Sequence, residues 1–149
     1  MAEKYYYGYE EFKKDAQILV DKCRVYEPNV ILGVARGGLT LSHLLGQAMD
    51  MRNVFTINSI HYEGELKLDT FNIFNIPDLS KTKKVLVVDD IVDSGETMRE
   101  ILKLLKDKFP NTEFKLATIF YKPSACIKAD YSVKIADKWI EFFWEVDIK

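Results

Sequence analysis

The sequence predicts an α/β domain whose central sheet is mainly parallel and flanked by helices. Two observations predict it. Short apolar runs that suit strands buried on both faces alternate with apolar stripes at helical spacing, and no repeat or linker divides the 149 residues. That length suits one domain over residues 1–149, and the alternation implies right-handed crossovers between parallel strands.

Each element follows from its own pattern. Phe12, Ala16, Leu19, Cys23 and Tyr26 recur at steps of four and three, one stripe of an amphipathic helix that Pro28 ends. Val30-Ile31-Leu32-Gly33-Val34 is a continuous apolar run, as a strand covered on both faces requires. A turn at Ala35-Arg36-Gly37-Gly38 leads to a second helix with Leu41, Leu44, Leu45, Ala48 and Met49 inward, and residues 54–60 read as a second strand. Residues 61–78 carry His61, Gly64, Asn72, Asn75, Pro77 and several charges with weak periodicity. They read as a long loop with little regular structure, the kind that serves as a lid. Val85-Leu86-Val87-Val88 is the clearest strand, followed by an acidic turn. A helix then places Met98, Ile101, Leu102, Leu105 and Phe109 inward and stops at Pro110-Asn111. Residues 114–121 and 131–135 read as further strands before the aromatic tail Trp139-Ile140-Glu141-Phe142-Phe143-Trp144.

Composition narrows the function classes. Lys and Arg total 21 against 23 Asp and Glu, for a net charge of −2 and a pI near 5.7. A dedicated electrostatic nucleic-acid binder would be basic. No apolar run approaches the roughly 20 residues of a membrane span, and no secretory signal is visible at Met-Ala-Glu-Lys-Tyr-Tyr-Tyr. Cys23 and Cys126 are too few for a disulfide framework and lack metal-ligand spacing. A cytoplasmic protein with reduced thiols is the expectation.

The chemistry concentrates after the clearest strand. Asp89 and Asp90 emerge together, Asp93 follows, and Ser94-Gly95-Glu96-Thr97 opens a helix. Like charges this close repel, so a cation or a set of hydroxyl donors is expected opposite them. The helix start has the opposite character. Bare backbone N–H groups, the positive end of the dipole and two hydroxyls form a phosphate cradle, and Gly95 keeps a side chain out of the anion's way. Acids beside such a nest suit a sugar phosphate, with ribose hydroxyls donating to the carboxylates. The plain alternative is a helix capped by Asp93 or Ser94. A Walker loop needs Gly-Lys-Ser/Thr and the dinucleotide fingerprint needs Gly-x-Gly-x-x-Gly, and neither occurs.

The stretch from Val85 to Thr97 resembles the phosphoribosyl pyrophosphate (PRPP) motif of type I phosphoribosyltransferases: apolar strand, two acids, two apolar residues, Asp, Ser, Gly, x, Thr. Gly33-Val34-Ala35-Arg36-Gly37-Gly38-Leu39, Phe120-Tyr121-Lys122-Pro123 and Asp137-Lys138-Trp139-Ile140 extend the resemblance over nearly the whole chain. It narrows to the bacterial xanthine-guanine, or 6-oxopurine, branch. The resemblance implies the type I fold, with a flexible lid loop and a small C-terminal hood. It implies transfer of phosphoribose from PRPP to a 6-oxopurine (xanthine, guanine or hypoxanthine) in purine salvage, with Mg²⁺ as cofactor and a homo-oligomer, dimer or tetramer.

Roles follow residue by residue. Arg36 and Gly37 would hold pyrophosphate, in a loop where the family often has a cis peptide, here Ala35–Arg36. Asp89 and Asp90 would accept from the ribose hydroxyls, with Asp90 toward the metal. Ser94, Gly95, Glu96 and Thr97 would hold the 5′-phosphate, and Asp93 would be the catalytic proton acceptor at N7. Lys122 would donate to the 6-oxo group, Trp139 would stack on the base, and Ile140 would read its edge through the backbone. Glu141 is a further candidate at the base or metal. In the lid, Glu65-Leu66-Lys67 matches the family, but Gly64 stands where an arginine is expected, which leaves Lys67 as the substitute. Three other readings compete: a regulator of the same fold that binds RNA, a phosphoribosyltransferase for another base, and a signalling receiver domain. The last places its paired acids after the first strand, whereas Asp89 and Asp90 come late.

Overall fold

The computed structural model describes residues 3–62 and 70–149. Its elements run β1 (Lys4–Tyr7), α1 (Tyr9–Arg24), β2 (Val30–Ala35), α2 (Leu39–Ala48), β3 (Val54–Tyr62), β4 (Thr70–Phe74), β5 (Lys84–Val92), α3 (Glu96–Lys108), β6 (Glu113–Tyr121), β7 (Lys134–Ile135) and β8 (Trp139–Phe142). A six-stranded sheet has the order β4-β3-β2-β5-β6-β7, and a two-stranded ribbon joins β1 to β8. Every pairing is parallel except β3 with β4. The predicted α/β architecture stands. Among the described residues no helix is long and apolar enough to cross a membrane.

The apolar runs are continuous because both faces of the sheet are covered. Along β2 and β5, Ile31, Leu86 and Val88 join α1 and α2 in one core, with Phe12, Leu19, Cys23, Leu41 and Leu45. Their neighbours Val30, Leu32, Val34, Val85 and Val87 face the other way, onto Met98, Ile101 and Leu105 of α3. The charges suit the helix ends: α1 has Glu10 and Glu11 in its first turn and Lys22 and Arg24 in its last, which complements the dipole. Cys23 is buried and Cys126 exposed, and both are free thiols.

Four expectations need correction. The strand at Val85–Val88 does not end before the acids. It runs on to Val92, because β6 continues beside it with Asp89↔Thr118 and Ile91↔Phe120 in register. The segment 61–78 is not irregular throughout, since His61 and Tyr62 end β3 and pair antiparallel with Phe71 and Thr70 of β4. Its polar residues hid the pattern by occupying the exposed alternate positions. The strand expected over 131–135 shrinks to Lys134–Ile135 and a bridge from Tyr131 to Ala117. Finally, β1 is a strand where none was expected. Gly64, Glu65 and Lys67, which carry the lid expectation, lie outside the described residues.

Leu86 is fully buried at the centre of the sheet. Leu86→Ala should cost about 3 kcal/mol through lost transfer energy and the cavity left behind, seen as a lower urea midpoint at unchanged slope.

Candidate functional site

The sheet order reverses direction between β2 and β5: β3 and β4 lie outside β2, and β6 and β7 lie outside β5. Ligands in such sheets bind beyond the carboxyl ends of the strands at that point. The two strands pair as far as Gly33↔Val88 and no further. Beyond it, the loop after β2 meets the continuing β5. The Ala35–Arg36 peptide is cis, as the resemblance implied. Gly37 is packed so closely that a Cβ there would lie 2.7 Å from Asp90 Oδ2. No larger residue fits without moving the carboxylate.

Asp89 and Asp90 are half-buried. The backbone N–H of Asp90 donates to Asp89 Oδ1 at 2.8 Å. Burial holds the Asp89 carboxyl well above its ordinary range, and the neighbouring Asp90 charge adds to it. Asp90 is raised by burial too, with Glu145 contributing from across the crevice. The cation expected opposite the acids reaches Asp93 instead: Lys122 Nζ lies 2.7 Å from Asp93 Oδ1. Lys122 is set there by the end of β6 and by its own N–H, which donates to Val92 O at 3.0 Å.

The turn into α3 departs from a plain capped helix. The N-cap is Gly95, in the left-handed region at φ 86°, with no side-chain cap. Asp93 is committed to Lys122, and the Ser94 hydroxyl accepts only a 3.3 Å bond from Glu96 N–H. Apart from that long Glu96 contact, no side chain caps the first-turn amides of α3, which suits an anion site. A loop from residue 122 braces this turn, with Cys126 N–H donating to Ser94 O at 2.8 Å.

Two cavities open on the crevice. One of about 150 Å³ is lined by Asp90, Ile91, Asp93, Lys122, Lys138, Trp139, Ile140, Phe142 and Glu145. The other, about 560 Å³, is lined by Arg36, Gly37, Asp90, Trp144, Glu145, Val146 and Asp147. Asp90 and Glu145 belong to both. The fold thus gathers Arg36, Gly37, Asp90, Asp93, Lys122, Trp139 and Ile140 from four separate segments. Asp89 lies beside Asp90 but lines neither cavity, and Ser94, Gly95, Glu96 and Thr97 stand at the start of α3 outside both. Glu141 is exposed and lines neither. Sequence reasoning missed Lys138, Trp144, Glu145 and Asp147. Lys138 lay within a segment already singled out and Trp144 within the aromatic tail, whereas Glu145 and Asp147 had no local signal, because the β1–β8 ribbon and the packing of Trp144 on Phe12 and Phe142 bring the tail over the crevice.

Comparison with known proteins agrees with this fold. The family model described as the phosphoribosyl transferase domain matches residues 8–149. The chain is similar to the Helicobacter pylori xanthine-guanine-hypoxanthine phosphoribosyltransferase structure, at 42% identity and a TM-score of 0.89 over 97% of this chain and 95% of that one. It is similar to a purine phosphoribosyltransferase from Pyrococcus horikoshii, at 32% identity and a TM-score of 0.85, covering 98% and 97%. Among curated proteins, the xanthine-guanine phosphoribosyltransferase of Cereibacter sphaeroides is 26% identical over 97% of this chain and 89% of that relative.

Because Asp89 holds its proton more tightly folded than unfolded, folding takes up protons above its ordinary value of 3.8. This group's contribution to stability is therefore fullest at low pH and falls as pH rises through that value toward the raised folded one. Asp89→Asn, which keeps the acceptor for Asp90 N–H, should raise Tm at neutral pH by about 3 °C. The gain should vanish on acidification to about pH 3, as followed by thermal melts across pH.

Proposed function

The chain belongs to the phosphoribosyl transferase domain family, and from that premise we propose that it transfers phosphoribose from PRPP to N9 of a 6-oxopurine in purine salvage, releasing pyrophosphate. The observation that carries the reading is the shared wall at Asp90. A small cavity edged by Lys122, Asp93 and Trp139 adjoins a larger one holding Arg36 and Gly37. A base and a pyrophosphate need that adjacency, since the bond that forms and the bond that breaks meet at one anomeric carbon.

In this reading the C1–O bond to pyrophosphate breaks as the N9–C1 bond forms, through an oxocarbenium-like state. Arg36 and the Gly37 backbone receive the leaving pyrophosphate through a guanidinium fork and amides. Asp89 and Asp90 accept from the ribose hydroxyls, and the amides of Ser94, Gly95, Glu96 and Thr97 hold the 5′-phosphate. Lys122 exchanges its bond to Asp93 for one to the 6-oxo group, which frees Asp93 to take the proton at N7. An adenine amino group would confront that ammonium donor with another donor. Trp139 stacks on the base, and the Ile140 backbone reads its edge.

The site fits Mg²⁺. Burial leaves Asp89 and Asp90 with raised proton affinity, the mark of carboxylates short of countercharge. Among the described residues no cluster of three or more ligands occurs, so an ion here would need substrate oxygens beside one or two carboxylates. Asp90 would hold the ion through water, and the ion would supply countercharge to the pyrophosphate leaving group. Self-association into a dimer or tetramer is part of the proposal, supported by the exposed apolar side chains Ile60, Tyr62 and Phe74, which share one face of β3 and β4. Neither the charge of −2 nor the relatives favour the RNA-binding reading.

The test is Mg²⁺- and PRPP-dependent conversion of xanthine, guanine and hypoxanthine to their nucleotides, with adenine and uracil as controls. No conversion of any 6-oxopurine would overturn the reading. Asp93→Asn should lower kcat by about 100-fold while the KM for PRPP changes by less than about threefold.

A further inference from the structure

The part of the small cavity formed by Trp139, Ile140 and Phe142 belongs to β8, and β8 pairs with β1 in a ribbon apart from the main sheet. The register sets Lys4 against Trp139 and Tyr7 against Phe142. Trp139 N–H donates to Glu3 O, and Phe143 N–H to Tyr7 O. A two-stranded ribbon is marginal alone, so its position depends on what lies behind it.

Behind it stands a polar network, buried at Tyr7 and Asp15 and half-buried at Glu11 and Lys134. Tyr7 is fully buried and its hydroxyl donates to Asp15 Oδ2 at 2.6 Å. Asp15, on α1, is only 4% exposed. Lys134 Nζ lies 3.0 Å from Asp15 Oδ2, bonds Glu11 as well, and sits 5.8 Å from the Tyr7 ring centroid. The Tyr7 ring in turn packs edge-on against Phe142, at 5.8 Å between centroids. None of the four polar residues lines either cavity. They tie together β1, which backs the wall, and β7, which leads the chain into it.

We propose that Tyr7, Glu11, Asp15 and Lys134 are positioning residues that set the placement of β8 and thereby the affinity for the purine base. The kinetic part rests on the transferase reading above. Such a half-buried ion pair is weak evidence for stability. What this one adds is a fixed geometry among α1, β7 and β1, the strand on which β8 is paired. The larger cavity is walled in part by Trp144 and Glu145, which follow β8, so the network reaches that wall as well, but Arg36, Gly37 and the start of α3 are placed by other elements.

Two measurements on Lys134→Met, Lys134→Arg and Tyr7→Phe test this. In steady-state kinetics, Lys134→Met should raise the KM for the base about tenfold and the KM for PRPP by clearly less, while kcat stays within about twofold. Lys134→Arg should recover most of the loss, and Tyr7→Phe should shift the same parameter by less. A merely structural role would lower the active fraction, so that kcat falls with both KM values unchanged, and that result would overturn the proposal. In hydrogen exchange, Lys134→Met should speed the amides of Trp139 and Phe143 relative to those of α3. Unchanged exchange at β8 overturns the proposal whatever the enzyme assay gives, whereas an inactive wild type overturns only the transferase reading. If Lys134→Met does not fold, Tyr7→Phe, which removes a single oxygen, carries both measurements.

Discussion

The pairing of β2 with β5 ends at Gly33 and Val88, and the site depends on that parting. Up to that point the two strands share a ladder and a core on each face. Past it β5 keeps its partner on one side only, β6, and carries Asp89 and Asp90 into the gap. The gap lets the Arg36-Gly37 loop drop against Asp90, and the missing Cβ of Gly37 sets how close it comes. The acids sit on a strand held by β6 rather than on a free turn, so their spacing is as rigid as the sheet.

That rigidity conflicts with the charges it carries. Burial and the neighbouring carboxylate raise Asp89, and burial raises Asp90 with Glu145 nearby. Such an arrangement works against the stability of the free protein and is retained where a ligand needs it. The adjacent pair of Asp93 and Lys122 shows the other solution, in which opposite charges satisfy each other until something displaces one of them.

Much of this was legible in the chain because it is local. The apolar run ahead of Asp89, the stripe of Met98, Ile101 and Leu105, and the order Asp93-Ser94-Gly95 each lie within one element and its exit. The six-stranded core follows from such patterns. The unread parts are non-local. Lys4 to Tyr7 shows one buried residue out of four and becomes a strand only through a partner at the other end of the chain. In β4, half-covered Phe71 and Ile73 alternate with exposed Asn72 and Phe74, too weak a pattern to stand out among the charges and Pro77. Glu145 and Trp144 have no motif of their own, since their place at the crevice follows from where β8 is held. Glu141 attracted notice by its neighbours, yet lies exposed away from both cavities.

The pairing of β1 with β8 also bears on the order of assembly. Contacts within β2–α2–β3 and β5–α3–β6 close short loops, whereas bringing position 4 to position 139 closes nearly the whole chain, the most costly loop in entropy. The ribbon is thus the natural last step, after the sheet that anchors it exists. A molecule caught before that step would hold its acids in place on β5 and lack the β8 wall of the smaller cavity.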